Sequence, residues 1–286
     1  TNLSYMNLLK DFSELSVEAG VYTSNILDFK QLISVTQGIT TELESALERD
    51  GVLDTLTKCI YSDLSLRFDS SGDEISGMLP QSVLERGEGR CLGIGFIMLI
   101  AAERAGLPLY GVTIPGHFFL RYENGDTVRN IEPNRFGMER SDSYYREQYS
   151  INGKGSEVFR KLRKREVAAL LYYNAANHLY EEKRHNEAEV FYKKTLELSP
   201  GMAQASGNLA LIYAEQAKYD KAREMFQKTC SINPYLKNIY LNYGRFEEAL
   251  GNYNRAAEIY SQGLNRHPES PGLKESLSLL MADRTE

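Results

Sequence analysis

The C-terminal part of the chain repeats itself, and this limits what it can fold into. Pro200, Pro234 and Pro268 recur every 34 residues, as do Ala188, Ala222 and Ala256. The aromatics Tyr192, Phe226 and Tyr260 keep the same spacing, and so do the small residues Ala176, Ala210 and Gly244. Small residues let paired helices approach, an aromatic fills the gap beside them, and proline ends each unit. Columns that share one period predict a stack of helical hairpins, each burying its apolar face on the next. Glu247 and Thr229 break the pattern, where an aromatic and an alanine are expected. Pro271 to Met281 has the length and apolar spacing of a terminal capping helix.

This pattern resembles the tetratricopeptide repeat. The resemblance implies three repeats over residues 169–286, after a linker or helix over 151–168. Stacked repeats of this kind make a concave groove. Asn174, Asn208 and Asn242 recur at one column of it, with Asn177 nearby. An asparagine amide can pair with both the N–H and the C=O of an extended peptide. These four are the candidate binding residues for a protein or peptide partner, against the plainer reading that asparagine is common at this column. Grooves that grip a C-terminal carboxylate carry basic residues beside such asparagines. Tyr173 stands at one such place here, which argues against that mode.

A second organised stretch runs from Leu84 to Pro133. Cys91 follows Gly87 and Gly89 and opens an apolar run, Leu92 to Ala105, long enough for a helix and stopped by Gly106 and Pro108. A helix N-terminus favours a thiolate. The expectation is a lowered Cys91 pKa and alkylation of Cys91 before Cys59 or Cys230. The segments before and after Asn124-Gly125 read as strands around a turn. A two-residue Asn124-Gly125 loop would set Tyr122 opposite Thr127, Phe119 opposite Asn130 and His117 opposite Glu132. Cysteine, imidazole and carboxylate are the parts of a thiol-based acyl-transfer site. The plainer readings are a core cysteine, a structural histidine and a simple cross-strand ion pair.

L-E-R-G-E-G-R-C-L-G-I-G, followed by P-G-H-F-F-L-R-Y and then I-E-P, resembles the transglutaminase-like superfamily, with the bacterial SirB-type group as its nearest branch. The likeness covers roughly residues 40–140. It implies a cysteine-protease-like α+β domain over residues 1–150, with helices and a small antiparallel sheet, in front of the all-α solenoid. It also implies a catalytic triad of Cys91, His117 and Glu132, with glutamate where the family usually has aspartate. Papain-like relatives carry an oxyanion-hole glutamine six residues before the cysteine, where this chain has Glu85. An oxyanion hole would then rest on backbone N–H groups near Cys91, with Gln81 as a further donor.

Composition bounds the rest. The 286 residues suffice for two domains, and a net charge of −6 gives no bulk reason to bind nucleic acid. Cys59, Cys91 and Cys230 are odd in number and widely spaced, so neither a disulfide scaffold nor a metal site is expected, and no cofactor either. No apolar run is long enough to span a bilayer. A reducing, cytoplasmic setting is the expectation. The chain begins at Thr1 rather than Met, so an exported and trimmed form stays open.

Residues 1–80 read as helical, with a capping box at Thr41 to Glu44, a helical period from Val52 to Phe68 and a solvated loop at 69–73. Residues 134–155 lack periodicity but hold Tyr144, Tyr145 and Tyr149, which could flank the Cys91 site or form a connector. The basic run Arg160 to Arg165 reads as the solvated face of a helix. Two functions follow: a thiol hydrolase or acyltransferase whose repeats recruit a protein or peptide, or a non-catalytic interaction scaffold that keeps a degenerate triad.

Overall fold

The structure, a computed structural model, describes residues 3–22, 27–46, 51–69, 75–151, 159–236 and 238–282. It divides into two compact units, Thr1–His178 and Leu179–Glu286. The first is α+β and the second all-helical, as the two sequence patterns imply.

The N-terminal unit is built around α5, Cys91–Arg104, in which every residue from Leu92 to Ala102 is buried. Helices α1 (Tyr5–Glu18) and α2 (Lys30–Ala46) pack on it. Tyr5 meets Phe96 edge-on at 5.8 Å, and the Thr40 hydroxyl donates to the Ala101 carbonyl at 3.4 Å. Thr36, Thr40 and Thr41 all turn their hydroxyls back onto carbonyls of their own helix. Thr41 therefore lies inside α2 and does not cap a helix start. α3 (Val52–Lys58) follows, then β1 (Arg67–Phe68), which pairs in parallel with β2 (Glu88–Gly89), and α4 (Pro80–Arg86). The helical period read through Phe68 thus gives way to a short strand. Of the expected 69–73 loop only Asp69 lies within the described residues, buried and paired with Arg86 Nη2 at 3.2 Å.

Four antiparallel strands follow in the order β3 (Leu109–Ile114), β4 (His117–Asn124), β5 (Thr127–Glu132), β6 (Met138–Arg140). The segment before Asn124 is two strands, because Pro115-Gly116 makes a tight turn with Gly116 at φ +74°. Both faces of β4 are covered. Phe118 lies where a Cβ on Gly95 of α5 would come within 2.8 Å of its ring. Phe119 on the other face joins a cluster with Val112, Ile114, Tyr145 and Phe159. Tyr145 belongs to α6, Asp142–Gln148, so the aperiodic stretch after Pro133 forms ordered structure against the sheet.

Only Lys164 and Arg165 of the basic run lie in a helix. Arg160 to Arg163 precede α7 (Lys164–Glu181), and Lys161 bridges to Val112. Arg160 and Arg163 converge on Glu166, Lys161 pairs with Glu123, and Lys164 pairs with Glu103. Ion pairing within the unit claims these cations.

The second unit continues with α8 (His185–Leu198), α9 (Ala203–Glu215), α10 (Tyr219–Ile232), α11 (Ile239–Ala249), α12 (Tyr253–Arg266) and α13 (Pro271–Ala282). Helices α8, α10 and α12 start 34 residues apart, and Ala188, Ala222, Ala256, Tyr192, Phe226 and Tyr260 have no exposed surface. At Gly244 a Cβ would sit 2.1 Å from the Tyr260 ring, so the small-residue column sets how closely α11 and α12 approach. The off-pattern Glu247 is fully buried and takes hydrogen bonds from Arg223 at 2.6 and 2.9 Å and from Asn252 at 2.8 Å. Burial raises its pKa, but the donated bonds win and hold it below the usual range. Among the described residues no helix is long and apolar enough to cross a membrane.

Candidate functional site

Cys91 is the first residue of α5, held by close backbone packing. Arg90 is extended before it and donates its N–H to the Gly77 carbonyl at 2.7 Å. Gly93, two residues in, lies so near this carbonyl that a Cβ would come within 2.6 Å, and a Cβ on Gly89 would come within 2.4 Å of Val83. The glycines flanking Cys91 therefore serve close approach as well as the turn. The expected thiolate is not what this environment favours. Burial pushes the Cys91 thiol pKa up, and the Glu132 charge adds to the rise. The N–H groups of Leu92 and Cys91 and the charge of Arg90 oppose it without prevailing. The helix-terminus effect is real but smaller than the cost of burying a thiolate. Cys59 and Cys230 are raised by burial too, so thiolate content alone does not single out Cys91.

His117 opens β4 directly after the Pro115-Gly116 turn. Its Nε2 lies 2.9 and 3.0 Å from the two carboxylate oxygens of Glu132. Both side chains are enclosed, at 8% and 3% exposure. The strand register differs from the expected one. Asn124 pairs with Thr127 and Leu120 with Ile131, so the turn residues are Gly125-Asp126. Gly125 alone has positive φ, +56°, and Asn124 stays in the ladder. Such a turn needs glycine only at its first central position. Every pairing is offset by two residues from the expectation: Tyr122 faces Arg129, and one further step along the ladder puts Glu132 opposite Phe119. Side chains alternate with period two, so Glu132 keeps the face of His117 and reaches it diagonally.

Aromatic rings enclose the imidazole. Tyr149 stacks on it at 5.2 Å and 17°, Phe119 lies at 6.1 Å, and Tyr145 stacks on Phe119 at 4.1 Å. Tyr61 donates its hydroxyl to the Pro133 carbonyl at 2.8 Å. Burial raises the pKa of Tyr61 and of Tyr149, and for each the charges of Glu132 and Cys91 push the same way. The charges of Glu132 and Cys91 thus act on the same two tyrosines, and His117 is hydrogen-bonded to Glu132, while among the described residues no hydrogen bond joins His117 to Cys91. The Tyr145 hydroxyl is buried and among the described residues meets no partner in hydrogen-bonding geometry, yet its pKa rises with burial and with the nearby Glu132 carboxylate. Gln81 is buried and donates to Ser13 Oγ at 3.2 Å, and Glu85 is exposed on α4. The donors next to Cys91 are backbone N–H groups. Among the described residues no three His, Cys, Asp or Glu side chains cluster as metal ligands.

The asparagines differ from one another. Asn174, in the first unit, donates to the Leu170 carbonyl of its own helix at 2.7 Å, and Asn177 is half-buried there. In the second unit Asn208 donates to the Tyr192 hydroxyl at 3.0 Å. Asn242 lines an apolar groove of about 440 Å³ with Leu211, Tyr219, Arg245, Phe246 and Leu250.

Residues 29–167 match the model of the transglutaminase-like superfamily, and residues 166–234 match that of the tetratricopeptide repeat. The chain thus carries a transglutaminase-like domain followed by tetratricopeptide repeats. Among solved structures, it is similar to the tetratricopeptide domain of Arabidopsis OM64 at 24% identity and TM-score 0.39, covering 42% of this chain and 98% of that one. The N-terminal domain of stress-induced protein-1 from C. elegans matches at 20% and 0.39, covering 42% and 99%. The Sgt2 repeat domain from Aspergillus fumigatus matches at 19% and 0.38, covering 41% and 80%. No curated protein matches the chain.

Proposed function

We propose that this protein is a thiol-dependent hydrolase or acyltransferase acting on an amide or ester, of the SirB-type branch of its superfamily, with its repeats recruiting a protein or peptide. The observation that carries the reading is the enclosed His117–Glu132 pair, joined through Nε2 at 2.9 and 3.0 Å. This pairing holds the ring by one nitrogen and leaves Nδ1 as the base.

The raised Cys91 pKa sets the order of events. The sulfur rests as a thiol, so proton removal accompanies attack. His117 takes the Cys91 proton as sulfur bonds to the carbonyl carbon. Glu132 stabilises the imidazolium so formed, and the N–H groups of Cys91 and Leu92 face the developing negative charge. The imidazolium then protonates the departing amine or alcohol. Water, or an acceptor amine, attacks the thioester, and His117 takes and returns a proton again. Asn242 and the apolar groove beside it supply the recruiting surface.

A second reading is a non-catalytic scaffold. It is favoured by the half-buried Cys91 thiol, whose pKa desolvation raises, and by Gln81 being engaged with Ser13. The two part on one measurement. Alkylation of Cys91 by iodoacetamide at neutral pH, followed by mass spectrometry, should slow at least tenfold in His117→Ala, the lower part of the general-base range of about 10²–10⁴ being discounted for a simple alkylation. Equal rates in the two proteins would reject the enzyme and leave the scaffold.

A further inference from the structure

Phe136 occupies a position that its residue type does not suit. It follows the short 3-10 turn Pro133–Arg135 in the left-handed conformation, at φ +55°, and Gly137 follows at φ +72°. The Gly137 N–H donates to the Glu132 carbonyl at 3.0 Å, closing a six-residue helix-end motif. The left-handed residue of this motif is usually glycine, and a bulky side chain there is a genuine outlier. Burial of the ring does not offset the strain, because Phe136 is 66% exposed.

The turn is also locked in place. A Cβ on Gly137 would fall 1.7 Å from Thr57 Cγ2, so the backbone lies tight against α3. The Phe136 ring meets Tyr61 edge-on at 5.8 Å and 71°. Tyr61 is tied to the carbonyl of Pro133, the residue directly after Glu132. Two residues on, Met138 pairs with Glu132 in the ladder and is 48% exposed. A strained aromatic, held rigidly and left open to solvent on the turn that leaves Glu132, the partner of His117, fits a recognition element better than a packing one.

We propose that Phe136, backed by Tyr61 and extended by Met138, selects substrates bearing an aromatic or branched aliphatic group next to the bond attacked by Cys91. The inference rests on the thiol reading of Cys91. An apolar group can stack on the open face of the Phe136 ring, while a small polar acyl group gains nothing there.

The test uses the full chain and two reagents, iodoacetamide and N-benzyliodoacetamide, with Cys91 modification followed by mass spectrometry. The wild-type protein should prefer the benzyl reagent about three- to tenfold, the range of one aromatic pair. In Phe136→Gly this ratio should fall to about one, in Phe136→Leu it should stay intermediate, and the melting temperature of Phe136→Gly should rise. A ratio unchanged in Phe136→Gly overturns the inference while leaving the thiol reading intact. Iodoacetamide labelling that does not depend on His117 removes the thiol reading, and the inference with it. A fall in melting temperature in Phe136→Gly would make the ring structural. A wild-type dimer that Phe136→Gly dissolves would make it a contact between copies. Either result overturns substrate selection.

Discussion

Replacing Glu132 by aspartate is the sharpest perturbation of the proposed site, because aspartate is the residue that the transglutaminase-like resemblance implies there. In this chain the carboxylate reaches His117 along a diagonal of the β4–β5 pair. Diagonal neighbours lie roughly 7–8 Å apart, against about 4.5–5.5 Å for directly opposed residues. Aspartate withdraws the carboxylate by about 1.5 Å, one carbon–carbon bond. Contacts of 2.9 and 3.0 Å would then open well past hydrogen-bonding range. A lost hydrogen bond to a charged group costs about 1.5–3 kcal/mol. For a unit of this size that corresponds to a melting temperature about 3–12 °C lower. Glutamine keeps the length and can still accept from Nε2, so Glu132→Gln should lose less stability, about 1 kcal/mol. It should still lose most of the His117-dependent alkylation of Cys91, because the imidazolium lacks its counter-charge. The assays are thermal unfolding by circular dichroism and iodoacetamide labelling across pH 6–9. If Glu132→Asp keeps wild-type stability and labelling rate, the diagonal geometry is wrong.

Two further predictions concern the frame around the site. Gly244→Ala places a methyl 2.1 Å from the Tyr260 ring and should destabilise the repeat unit by about 1–3 kcal/mol, seen as a lower urea midpoint. Glu166 is pushed up by burial but pulled down further by Arg160 and Arg163, to a pKa of about 2. Its folded pKa is thus depressed, the unfolded chain binds the proton first, and stability falls as pH drops from about 4.5 towards 2. Glu166→Gln should flatten that part of the stability–pH curve relative to wild type, and an unchanged slope would assign it to other carboxylates.

Periodic features were legible in the sequence. The 34-residue columns give α8, α10 and α12 their common spacing, and Gly106 and Pro108 end α5 where the pattern suggests. Features that depend on three-dimensional enclosure were not. The thiol pKa of Cys91 is set by how completely α5 is covered, which its position at a helix start does not reveal. Tyr145 and Tyr149 act through single ring stacks, which leave no period in a sequence, so only the density of tyrosine between Tyr144 and Tyr149 pointed to them. The strain at Phe136 was hidden because phenylalanine carries no turn signal.

The register of β4 was hidden for another reason. His117 to Tyr122 reads H-F-F-L-R-Y, and both faces of the strand are covered, by α5 on one side and by Tyr145 and Phe159 on the other. A strand buried on both faces has no polar–apolar alternation to fix its pairing. The turn alone must choose, and Asn124, Gly125 and Asp126 are all good turn residues. Shifting the loop by one position moves every cross-strand partner by two, and side-chain direction repeats every two residues. An error of that kind changes which residues are opposed but not which face they share. His117 and Glu132 therefore meet in either register. In the directly opposed register aspartate would be long enough to reach the imidazole. In the observed one the extra methylene of glutamate is what closes the gap, so residue choice at position 132 follows from the turn eight to six residues before it.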